Sequence, residues 1–243
     1  MPKPVKTEFD VSYGSQPKQK LDIYWPTGKK TGNTTIVFYH GGSWKGGNKS
    51  VYKFVGKRLA GMGFTAVLAN YRLYPEVVYP DFIKDSLRAI EWSSKNLLPT
   101  KIILMGHSAG AFNGAVLSVD KQYRDKLREF SVKGFIGIGG PYNFKPRPDL
   151  RPIFASAKQK PYHLVDMVDK PEIPMLLMAG KLDWIVSYKN SLSLASQVRA
   201  CKGKVVLRIF PHLEHFSLIA PLYPGLAWLA PVRKEIKKFV SSL

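Results

Sequence analysis

The sequence predicts an α/β domain built on a mostly parallel sheet with helices on both faces. Three observations carry this expectation. Strand-like and helix-like segments alternate along most of the 243 residues. The strand-like segments are unbroken apolar runs, such as TTIVFYH (34–40) and KIILMGH (101–107), where a half-exposed strand would alternate with polar residues. The helix-like segments fall between these runs, as parallel strands require of their crossovers.

Taken in order, FDVSYG…KLDIYWP is expected to form an antiparallel hairpin at the sheet edge, and 34–40 the first buried strand. VYKFVGKRLAGMG (51–63) brings Val51, Phe54, Val55 and Leu59 to one helical face and closes on glycine. FTAVLANY (64–71) is the next strand, and DFIKDSLRAIEWSSKN (81–96) is a helix with Phe82, Ile83, Leu87 and Ile90 inward. Strand 101–107 and helix GAFNGAVLSV (110–119) follow, then strands GFIGIGG (134–140), PMLLMAG (174–180) and KVVLRIF (204–210). A helix over SYKNSLSLASQVRA (187–200) separates the last two.

Residues 141–174, rich in Pro and Lys, interrupt the alternation and are expected as a small cap-like insertion over the active end of the sheet. The most apolar stretch, FSLIAPLYPGLAWLAPV (216–232), carries three prolines and a glycine and is short for a bilayer span. A loop and helix packed near a pocket is the expectation there. With no repeat or linker, residues 1–243 read as a single domain.

Composition narrows the function classes. Apolar residues make up 45% and charged residues 22%, as in ordinary globular chains. The single cysteine, Cys201, excludes an internal disulfide framework and a Cys-based zinc site. MPKPVKTEFDV has no apolar run of the kind a signal peptide needs, so an intracellular protein is expected unless a leader was removed. Net charge is +20, but the basic residues are scattered. The modest clusters at 121–129 and 233–238 read as solvated helix faces, a third lies at PKQK (17–20), and no nucleic-acid-binding motif accompanies them. A small-molecule substrate is therefore the expected partner.

The chemistry concentrates at four places. Gly106-His107-Ser108-Ala109-Gly110 fits G-x-S-x-G between a buried strand and a helix, where glycines permit a sharp turn and Ser108 stands proud as a nucleophile. The Ala109 N–H, at the helix start, would face a developing oxyanion. A serine needs a base. Of five histidines, His212 and His215 follow the last strand, where the base belongs; His215, ahead of the apolar FSLI run, is favoured over His212. The acid belongs after the preceding strand, and MLLMAGKLDWIV offers Asp183. HGGSW (40–44) follows the first buried strand, so Gly42 and Ser43, with Gly41 as alternate, are expected as the other oxyanion donors. His40 is expected to pin that loop. Trp44, Tyr142, Trp184 and Phe216 flank these loops and are expected to wall the substrate pocket.

With these residues in view the chain resembles the α/β-hydrolase superfamily, most closely its small esterase/lipase branch related to hormone-sensitive lipases and to feruloyl-esterase-like carboxylesterases. FYHGGSWKGGNKS, LANYRLYPEVVYPDFIKDSLRAIEW, GHSAG, GPYNF, LDWIV and EHFSLI carry the resemblance across nearly the whole chain. It implies a triad of Ser108, Asp183 and His215, an acyl-enzyme, no cofactor and no metal, and hydrolysis of carboxylic esters. HGGSW departs from the HGGG of lipase-like members and also resembles arylformamidases. N-formyl aromatic amine hydrolysis is thus the alternative to a carboxylesterase for short-chain or aromatic esters; a binding protein on a hydrolase scaffold would lack a triad member, and none is lacking.

Overall fold

The computed structural model describes residues 5–27, 32–155 and 163–243. Its eight strands are β1 (Thr7–Ser12), β2 (Lys20–Tyr24), β3 (Thr34–Tyr39), β4 (Thr65–Ala69), β5 (Lys101–His107), β6 (Val132–Ile138), β7 (Met175–Gly180) and β8 (Val205–Phe210). They form one sheet in the order β1-β2-β4-β3-β5-β6-β7-β8. The β1–β2 and β2–β4 pairs are antiparallel; all pairs from β4–β3 to β7–β8 are parallel. This is the α/β-hydrolase arrangement, with the expected hairpin at one edge.

Alternation along each central strand splits the core in two. On β3, Val37 and Tyr39 enter one apolar cluster while Ile36 and Phe38 enter the other; on β5, Ile102 and Leu104 oppose Ile103 and Met105 in the same way. The first cluster is closed by α2 (Asp81–Leu97), α3 (Ala109–Val119), α4 (Lys121–Leu127) and α5 (Lys189–Ala200), and the second by α1 (Lys53–Gly61) and α6 (Val232–Ser241). Helix α6 buries Val232, Ile236, Phe239 and Val240, each worth about 1.5–3 kcal/mol, and turns its lysines to solvent. Helix α3 is buried at every position, which its small residues allow. Within 216–232 the chain makes two short 3-10 turns, Ala220–Leu222 and Ala227–Leu229. No helix among the described residues is long and apolar enough to cross a membrane.

Two local expectations are corrected. Val51 is 63% exposed, because residues 49–52 form a 3-10 turn and α1 starts only at Lys53, shifting the helical phase. Arg124, expected on a solvated face, is buried and ion-paired at 2.5 Å with Asp169, a contact between residues 45 apart.

Candidate active site

Ser108 alone connects β5 to α3, with φ 54° and ψ −122°. An L-residue held there costs about 1–3 kcal/mol. The turn is held by Ser108 N–H donating to Ile138 O at 2.9 Å and Phe112 N–H to Ser108 O at 3.1 Å. Both flanking glycines are obligatory. A Cβ on Gly106 would meet the Gly110 backbone at 2.3 Å, and one on Gly110 would meet Tyr39 O at 2.1 Å. The serine is left half-buried at the end of β5.

Asp183 lies three residues past the end of β7, buried. Its Oδ1 accepts from the Ile185 and Val186 N–H groups at 3.0 and 2.7 Å, and its Oδ2 is 2.7 Å from His215 Nδ1. The carboxylate, already oriented by two amides, draws the imidazole proton to Nδ1 and leaves Nε2 as the basic nitrogen. The His215 carbonyl accepts from His107 Nε2 at 3.1 Å, and the two rings stand 4.8 Å apart. The loop bearing His215 is thereby fastened to the residue preceding Ser108. Ser108 and His215 are not hydrogen-bonded to each other in this structure. His212 is exposed to solvent.

Opposite Ser108, the chain after β3 runs through three successive positive φ values: Gly42 at 131°, Ser43 at 54° and Trp44 at 57°. A side chain at Gly42 would collide with Gly46 O at 2.1 Å, so glycine is required there. What holds Ser43 and Trp44 in this conformation is the Trp44 side chain. It is 1% exposed, donates from Nε1 to Asn113 Oδ1 at 3.0 Å, and packs on Phe82, Phe112, Phe144 and Phe154 at centroid distances of 5.1–6.1 Å. His40 stacks on Tyr71 at 4.4 Å and bonds Gly41 O through Nδ1 at 2.8 Å; burial lowers its pKa to about 4, so it is neutral near pH 7.

One organising residue escaped sequence reasoning. Tyr52 Oη accepts from Gly41 N–H at 3.2 Å and lies 2.9 Å from His107 Nδ1. His107 is neutral, its pKa lowered to about 3 by burial and then by the neighbouring His215. Its Nε2–H donates to His215 O, so Nδ1 accepts the Tyr52 hydroxyl proton. A continuous chain thus runs from the loop after β3, through Tyr52 and His107, to the loop carrying His215. Tyr52 sits 55 residues before His107 in an ordinary amphipathic stretch, and no local pattern marks it. The Gly41 amide is committed to Tyr52, while the Gly42, Ser43 and Ala109 amides have no protein acceptor among the described residues.

A cavity of about 150 Å³ opens beside Ser108, lined by Ser43, Trp44, Ser108 and Ala109 and by residues after β6 and β7, including Phe144, Leu150 and Ile185; Asp183 and His215 do not line it. Of the four aromatic residues expected as its wall, only Trp44 lines it. Tyr142 is wholly buried, because Gly137 and Gly140 leave the space its ring fills. Trp184 and Phe216 are 77% and 61% exposed, turned outward because Asp183 and His215, beside them, point in. The segment after β6 does border the cavity, though residues 156–162 of the expected insertion lie outside the described residues. A larger cleft of about 850 Å³, lined by Lys133, Arg199 and Phe239 among others, contains none of Ser108, Asp183 and His215. No cluster of His, Cys, Asp and Glu suited to a metal ion occurs among the described residues.

The chain is similar to known proteins. The chain is 26% identical over 235 residues to a probable isoprenylcysteine alpha-carbonyl methylesterase of Oryza sativa subsp. japonica, covering 84% of this chain and 57% of the relative. It is 27% identical over 241 residues to a kynurenine formamidase of Salmo salar, covering 90% and 78%. The chain thus spans only about half the length of the plant methylesterases it matches. Among solved structures, a truncated carbohydrate esterase from gut microbiota superposes with a TM-score of 0.80 at 21% identity, covering 98% of this chain and 95% of that one, a likeness of fold. Residues 21–160, well over half of the chain and carrying both the HGGSW loop and the Ser108 turn, match the model of one family, and the chain belongs to it: the BD-FAE family.

Proposed function

We propose that this chain is a serine carboxylesterase that hydrolyses short-chain or aromatic esters through an acyl-enzyme. The observation that carries the reading is the Asp183–His215 hydrogen bond of 2.7 Å, fastened through His107 to the strained Ser108 turn. In this reading His215 Nε2 takes the Ser108 proton as Oγ attacks the ester carbonyl. Asp183 holds the tautomer and stabilises the imidazolium. The Ala109, Ser43 and Gly42 amides receive the oxyanion; removing one such donor typically costs about 2.7–4 kcal/mol of barrier. The imidazolium then protonates the departing alcohol, and water repeats the cycle on the acyl-enzyme.

The size of the cavity supports small acyl groups, since about 150 Å³ lies well below the roughly 300–1,000 Å³ of ordinary ligand pockets. The Salmo salar kynurenine formamidase, 78% of which the chain covers, favours a second reading, cleavage of an N-formyl aromatic amine by the same groups. Initial rates on p-nitrophenyl esters of rising acyl length, with N-formylkynurenine in parallel and Ser108→Ala as blank, separate the two. A maximum at acetate to butyrate with the formamide untouched is expected. Fast formamide cleavage would select the second reading, and turnover retained in Ser108→Ala would refute both.

A further inference from the structure

The cavity beside Ser108 has an apolar wall of Trp44, Phe144, Leu150 and Ile185 beside the polar Ser43, Ser187 and Asn190; two cations, Lys145 and Arg147, also line it, and no acidic residue does. Their counter-charges are unequal. Arg147 has a carboxylate partner, Asp149, and that partner is shared: Arg147 Nε approaches it at 3.4 Å and Lys45 Nζ at 3.5 Å. Lys145 has no acidic partner among the described residues. A cation lining a cavity that holds no acidic residue, itself without a carboxylate partner among the described residues, is placed to receive an anion brought by the occupant. The surrounding chain adds to this, since its net charge of +20 raises the local concentration of anionic esters.

Building on the esterase reading above, we propose that the preferred substrates are monoanionic esters, with a carboxylate held at Lys145 while the ester carbonyl lies at Ser108. Lys145 is then a specificity-determining residue. An ammonium on a flexible stem suits this role, because it reaches an anion at the end of a short chain without demanding one planar geometry. Whether the anion sits at the acyl end or at the alcohol end of the ester, the chemistry recognised is the same, and the test separates the two.

The test compares kcat/KM by pH-stat for methyl valerate, monomethyl glutarate (anion on the acyl side), 4-acetoxybutyrate (anion on the alcohol side) with butyl acetate as its neutral match, and methyl 4-(trimethylammonio)butyrate. At low ionic strength, at least one anionic ester is expected to exceed its neutral match about five-fold, with the cationic ester below both. An exposed ion pair is screened by salt, so the advantage should shrink toward parity at about 0.5 M NaCl, where the Debye length is below about 8 Å. Lys145→Gln is expected to abolish the anionic-to-neutral ratio, while Lys133→Gln, at the far cleft, preserves it. Parity or a neutral preference in the wild-type enzyme overturns the inference while leaving the esterase reading intact. So does an equal loss in Lys133→Gln, which would assign the effect to the overall field. No turnover of any ester overturns the esterase reading, and the inference falls with it.

Discussion

Tyr52→Phe removes one oxygen atom and tests whether the chain through His107 organises the site. Tyr52 is 9% exposed, so water does not readily replace its hydroxyl. Its loss strands two groups: the Gly41 N–H, which donates to Tyr52 Oη at 3.2 Å, and His107 Nδ1, 2.9 Å from it. Leaving a buried donor or acceptor unsatisfied costs about 1–3 kcal/mol each, so a destabilisation of roughly 2–6 kcal/mol is expected, large against the ~5–15 kcal/mol of a typical domain. The catalytic effect is separate. Gly41 precedes the strained Gly42–Trp44 run and His107 anchors His215 through its carbonyl, so both the oxyanion donors and the base of the proposed mechanism lose a positional constraint. A drop in kcat of about ten-fold, or ~1.4 kcal/mol of barrier, is expected with KM changed far less. Urea unfolding gives the first quantity, and saturation kinetics on p-nitrophenyl butyrate at a temperature where the variant is fully folded gives the second. A stability within about 0.5 kcal/mol of wild type together with kcat within two-fold would refute this role for Tyr52, because it would mean that neither loop depends on the phenol.

Other expectations concern single groups. Asp183→Asn keeps an acceptor for the Ile185 and Val186 amides but turns an NH₂ toward His215 Nδ1, forcing the wrong tautomer; kcat should fall by about 10³–10⁴, and a loss below ten-fold would contradict the assigned role. Gly110→Ala places a methyl 2.1 Å from the Tyr39 carbonyl oxygen, backbone that cannot yield, so a fall in Tm beyond about 4 °C or outright insolubility is expected; a well-folded variant would show that the turn has more room than its geometry allows. Acid should destabilise the fold early. His40 and His107 have folded pKa values depressed to about 4 and about 3, so between pH 6.5 and about 4 the unfolded chain binds protons that the native state refuses. The stability they contribute is complete above pH 6.5 and declines as pH falls, by up to about 1.4 kcal/mol per unit for each histidine. Thermal melts from pH 7.5 to 4.5 should therefore show a falling Tm, with a shallower slope in His40→Gln; an unchanged slope would indicate that His40 is protonated in the native state.

The sequence by itself determined the sheet, the order of its main elements and the places in the chain from which the candidate site is built. Unbroken apolar runs between helical segments admit few arrangements other than a doubly covered parallel sheet, and β3 to β8 are parallel neighbours as that pattern requires. Glycine marked the tight places because a side chain at Gly42, Gly106 or Gly110 would meet backbone, a local steric fact that the chain must record locally. Asp183 and His215 were legible as residues following two neighbouring strands, since adjacency in a parallel sheet brings such loops together. Tertiary structure alone decided which way side chains point and what they meet. Trp44, Tyr142, Trp184 and Phe216 look equivalent along the chain, yet one lines the cavity, one fills space beside two glycines and two face solvent, because direction depends on local φ and ψ and on the neighbours already in place. Tyr52 and the buried Arg124 were invisible for the same reason: their partners lie 55 and 45 residues away, and a hydrogen bond or ion pair formed over that separation leaves no periodicity in the sequence to read.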